Sequence, residues 1–166
     1  MATRAALKRR TGHIFYTGAS LAIVIVVFVG FAPTYYLKGY FQTAPLPLVN
    51  HLHGVVFTGW IVLFAAQVRL VAVHRVDLHR RLGVAGAWLA GAVVTLGVTA
   101  ALLSGRHNFA AGNDGALAFL VIPFGDMLTF CVLTTAGLYY RRRPDVHRRL
   151  MLLATVTLLG AAWRSP

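Results

Sequence analysis

The sequence predicts an all-α protein, a polytopic transmembrane bundle of about five helices with the N-terminus inside and the C-terminus outside. Three observations predict it. Of the 166 residues, 58% are hydrophobic and only 12% are charged, about half the charged share of an ordinary soluble domain, and the mean hydropathy is +0.69. The apolar residues gather into runs long enough to cross a hydrocarbon layer of about 30 Å. The basic residues lie in short clusters between those runs and are sorted to one side.

The elements follow in order. Arg4, Lys8, Arg9 and Arg10 precede a first apolar run, residues 14–32. It is longer than a signal-peptide core and no Ala-x-Ala site follows, so a retained first span is expected. Pro33, Tyr35, Tyr36, Tyr40 and Phe41 supply the amphipathic aromatics that settle at a headgroup boundary. A second helix is expected over 51–73 and a third over 82–104. On the third, Gly83, Ala87, Gly91, Thr95 and Thr99 recur every fourth residue and read as a packing ridge. Asn113 and Asp114 are suited to cap a fourth helix over 115–140. A fifth, over 146–163, has about 17 residues, the lower limit for a span. Cys131, the single cysteine, sits in an apolar run and reads as a small core residue.

The formal net charge of +12 raises the question of nucleic acid, but no basic face of a soluble domain exists to bind it. Thirteen of the 16 basic residues lie on one side, ahead of the first helix or at and around the turns that join the second helix to the third and the fourth to the fifth; Lys38, Arg106 and Arg164 fall opposite. The positive-inside rule then puts the N-terminus in the cytoplasm. Glutamate is absent, which removes the usual carboxylate pairs of acid–base and dimetal chemistry.

Asp77-Leu78-His79-Arg80-Arg81-Leu82 returns 68 residues later as Asp145-Val146-His147-Arg148-Arg149-Leu150. Two helical hairpins related by an axis along the membrane normal would carry one copy each. The aspartates are placed to cap the following helices, and the arginines to meet anionic headgroups at the cytoplasmic face. His79 and His147 also form a candidate contact for a ligand or partner.

His53, Trp60, Gln67 and His74 recur every seventh residue, only about 20° short of two helical turns, so they share one face. The rise from His53 to His74 is about 31 Å, which sets the two histidines near opposite membrane surfaces. Asn50 and His51 join His53 at the outer end. Polar groups within a bilayer must be paired, so this face reads either as interhelical glue or as a binding site for a small molecule. Asp126 is the one acid inside an apolar span. With Pro123 one turn before it, Asp126 reads as a proton-linked or ligand-binding group, or as a protonated structural aspartate.

Histidines on membrane helices also permit haem b, which needs two of them at one depth on facing helices. The candidates are His13, His74, His79 and His147 at one level and His51, His53 and His107 at the other. No protease, phosphate-loop, dinucleotide or serine-nucleophile motif is present.

In His51-Leu52-His53-Gly54, Trp60, Gln67, Arg69, His79-Arg80-Arg81-Leu82-Gly83 and His147-Arg148-Arg149-Leu150, the chain resembles a group of uncharacterised multi-pass membrane proteins widespread in bacteria. The resemblance spans nearly the whole chain and implies a bacterial inner-membrane location, but no activity. The expectation is a non-enzymatic accessory or binding subunit of an electron-transfer or light-harvesting assembly. A haem b- or quinone-binding redox protein and a proton-coupled carrier centred on Asp126 are the alternatives.

Overall fold

A computed structural model describes residues 2–42, 47–113, 115, 118 and 120–160, with side chains from Gly12 onward except those of His13 and Lys38. Asp114 and residues 161–166 lie outside the described residues. Among the described residues every regular element is helical, with no strand. They are α1 (Ala2–Gly30), a π-turn (Ala32–Tyr36), α2 (Lys38–Phe41), α3 (Leu48–Ala72), α4 (Val76–Ala110), α5 (Val121–Tyr139), a 3-10 turn (Tyr140–Arg142) and α6 (Pro144–Thr157).

Three helices are long and apolar enough to cross a membrane: α3, α4 and the segment Val121–Arg142. Ile14–Gly30 within α1 is a shorter apolar helix. The outward faces agree with a lipid environment, since Val55, Val62, Val84, Trp88, Val121 and Leu128 are all exposed. Apolar side chains in that number on an outer surface are tolerated where the solvent is hydrocarbon.

The helices form two hairpins. The chain turns tightly between α3 and α4, and again between α5 and α6. The first turn is a Schellman motif, with Arg75 N–H donating to Leu70 O and His74 N–H to Val71 O. His74 occupies its left-handed position at φ +60°, so it closes the turn and does not continue the helical stripe. Pro144, in the first turn of α6, suits a helix start because the amide it lacks would have no intrahelical partner.

Trp60 on α3 binds the hairpins together. It is 3% exposed, meets the Phe130 ring edge-on at 5.0 Å, and donates from Nε1 to Thr155 Oγ1 at 3.3 Å. Around it Ile61, Val93, Phe130, Ala154 and Leu158 fill the centre, and α1 adds Ile23 and Val27 from the side of α3.

Several expectations change. Helix α4 runs 35 residues, about 52 Å by its rise and well beyond the hydrocarbon thickness. A helix ladder needs no apolar residues once it reaches the headgroup layer, so its charged ends remain helical. Asp77 and Asp145 are not caps; the caps are Arg75 and Arg143, and both acids sit in the first turn, where they meet the positive end of the helix dipole. Asn113 Oδ1 accepts from Gly115 N–H, and α5 runs Val121–Tyr139. The middle of the expected ridge on α4 faces outward, with Ala87, Gly91 and Thr95 exposed, while its ends, Gly83 and Thr99, are half-buried. Gly86, Ala90, Val93 and Gly97 are buried instead. Cys131 is exposed rather than a core residue.

Candidate functional site

The π-turn shapes one end of the bundle. Pro33 has no N–H to give to the turn before it, and the ladder resets to i→i−5 bonds, Tyr36 N–H to Phe31 O at 3.1 Å and Leu37 N–H to Ala32 O at 2.7 Å. The reset swings two tyrosines onto α3. Tyr35 donates to His51 O at 3.2 Å. Tyr36 shares a 2.7 Å hydrogen bond with Thr58 Oγ1, and Thr58 donates in turn to Gly54 O. Gly54 is required for this contact, because a Cβ there would lie 2.6 Å from Tyr35 Cε2.

Behind the tyrosines lies a cavity of about 670 Å³, within the range of small-molecule sites. Its far wall is a face of α4 made of Gly97, Ala100, Ala101, Ser104, Gly105 and Asn108. Those residues recur at helical spacing, and their small side chains leave the space open. Phe31 and Phe57 give it aromatic walls, Leu120 and Pro123 close it from the α5 side, and Asn50 and Asn113 contribute amides. Among the described residues no charged side chain lines it.

His53 is a wall of this cavity, and its Nδ1 is buried without a hydrogen-bond partner. A Cβ on Gly97 would stand 3.3 Å from His53 Cε1 and 2.6 Å from Met127 Sδ, so glycine lets the imidazole lie close against α4. A buried polar atom left unpaired costs about 1–3 kcal/mol. A bound molecule with a hydrogen-bonding group would recover that cost.

The other expected site residues divide. His51 is exposed, its ring 5.8 Å from that of Tyr35. Trp60 belongs to the core. Asp126 is half-buried on α5 and is not a wall of the cavity, whereas Thr58, its counterpart 68 residues earlier, is. Gln67 lies at the opposite, arginine-bearing end, where its Nε2 donates to His79 O at 3.1 Å. There His79 and His147 face each other with ring centres 6.3 Å apart. Arg80, Arg81, Arg148 and Arg149 are exposed. Arg148 pairs with Asp145 and lies over the Tyr16 ring at 5.1 Å.

Sequence reasoning missed Tyr35, Tyr36 and Thr58 as parts of one site, along with the small face of α4. The proline was the available signal, but the register it produces is not readable from spacing. Among the described residues no three His, Cys, Asp or Glu side chains gather in a way that could hold a metal ion. No family model matches the chain, and comparisons with curated proteins and with solved structures return no match.

Proposed function

We propose that this chain is a five-span protein of the bacterial inner membrane, with a cytoplasmic N-terminus, that binds a neutral, flat, lipid-soluble molecule of the quinone class. On this reading it is a non-catalytic binding subunit of an electron-transfer assembly. One observation carries the proposal: the uncharged, aromatic-walled cavity beside the unpaired Nδ1 of His53. An ionic ligand would need a countercharge, which the described walls lack; a quinone oxygen needs only a donor such as an imidazole N–H. His53 stands five residues into α3, about 8 Å along its axis. That depth suits a molecule whose ring sits near the headgroups while its tail follows the acyl chains.

The topology rests on charge. The arginine-bearing turns belong at the cytoplasmic face and the tyrosine-bearing end at the outer face. The apolar outer faces of α3 and α4, with Val55, Val62, Val84 and Trp88 exposed, support an accessory role packed against other membrane subunits. The test is purification of the full chain in mild detergent, solvent extraction, and mass spectrometry of the extract, followed by titration with a short-tailed ubiquinone analogue. Saturable binding that falls about tenfold, or about 1.4 kcal/mol, in His53→Ala is the expected result. Absence of saturable binding by the native chain would refute the proposal.

A further inference from the structure

The two copies of the Asp-x-His-Arg-Arg-Leu segment meet at their histidines. When two similar hairpins are related by a pseudo-twofold axis, equivalent residues touch only where they lie on that axis. His79 and His147 are such a pair, one in the first turn of α4 and the other in the first turn of α6.

Their hydrogen bonds prepare them for a common ligand. His147 Nδ1 lies 2.7 Å from Gly137 O, and because a carbonyl only accepts, the proton sits on Nδ1 and the lone pair of the neutral ring on Nε2. In metal-ligating histidines a hydrogen bond of this kind fixes the tautomer and leaves the other nitrogen free to bind a metal. His79 Nδ1 is buried with no partner. Gln67 holds the first turn of α4 by donating to His79 O, while its own Oε1 is buried without a partner. Orphaned polar atoms on both residues at one spot point to something that binds there.

We infer that His79 and His147 are the two ligands of a single metal centre at the arginine-bearing end, with Gln67 as a positioning residue. Metal–nitrogen bonds of about 2 Å on either side of a shared ion set two imidazole centres about 6 Å apart, and these are 6.3 Å apart. That spacing is for imidazoles in line across the ion, an arrangement that haem iron and two-coordinate Cu(I) both accept. Arg80 and Arg81 follow His79 directly in the chain, Arg149 lies two residues after His147, and all three side chains are exposed. A bare cation gains nothing from three guanidiniums, whereas haem carries two carboxylates that match them, so haem iron is the expected source.

The experiment uses the full chain in mild detergent. Absorption spectra and elemental analysis are recorded as purified and after titration with hemin, Zn(II) or Cu(I). One metal per chain is expected, with a Soret band if the source is haem and none if it is a bare ion. His79→Ala and His147→Ala each abolish that stoichiometric binding, while His53→Ala retains it, which separates this site from the quinone cavity. His147→Asn places an amide nitrogen where Nδ1 stood, can still donate to Gly137 O, and so tests the imidazole without removing the turn. Gln67→Ala weakens binding about 10- to 100-fold with the spectrum unchanged. The inference is overturned if the native chain neither carries nor takes up any of these metals, or if binding survives His147→Asn.

Discussion

Single residues carry the finest distinctions in this bundle, and glycine is the clearest case. At Gly54 a methyl group would stand 2.6 Å from the Tyr35 ring, so Gly54→Ala must displace the tyrosine and break its bond to His51 O. Overpacking of this kind costs about 1–3 kcal/mol, and thermal unfolding in detergent should record it together with weakened quinone binding. Trp60 and Thr155 give the opposite test, an interaction removed without change of shape. Thr155→Val leaves Trp60 Nε1 buried and unpaired, and should cost about 0.6 kcal/mol and at most about 1.7, the range found for interhelical hydrogen bonds in membranes. A loss well above that range would mean that the Trp60 contact is the principal clasp between the hairpins.

At the scale of elements, the π-turn and the short helix α6 are governed by prolines. Pro33→Ala restores a donor and allows the ladder to return to i→i−4 bonds, which rotates the following residues by about 100°. Tyr35 and Tyr36 would then leave α3. The expected outcome is unchanged helicity by circular dichroism with loss of the proposed quinone binding; binding equal to the native chain would show that the π-turn does not shape the cavity. Helix α6 begins with an exposed pair, Arg148 and Asp145. Exposed pairs contribute about 0–1 kcal/mol, so Asp145→Asn should shift stability no more than that.

The whole molecule is organised by the two ends of the bundle. The arginines of both hairpin turns gather at one end, and the cavity with its tyrosines opens at the other. An impermeant thiol reagent distinguishes the two in a Cys131→Ser background. Gly39→Cys should label in intact spheroplasts and Arg142→Cys only after permeabilisation. Labelling of both from the same side would remove the proposed orientation.

The chain's own pattern was enough to read a helical membrane protein, its hairpin order, the segregation of its charge and the repeat that contains His79 and His147. Those features follow from hydrophobic run length and from where arginine can reside, which are local properties of the chain. Only the tertiary structure decided that the seven-residue stripe splits, with His53 at a cavity, Trp60 in the core and Gln67 beside His79. It also turned Ala87, Gly91 and Thr95 of the expected ridge and Cys131 outward, and opened the cavity along the small residues of α4. The reason is physical: in lipid an outward leucine and a core leucine meet equally apolar surroundings, so hydropathy separates membrane from water but not one helix face from another. Which faces meet is settled by shape, and the contacts that set it here lie far apart in the chain, from Tyr35 against Gly54 to Trp60 against Thr155.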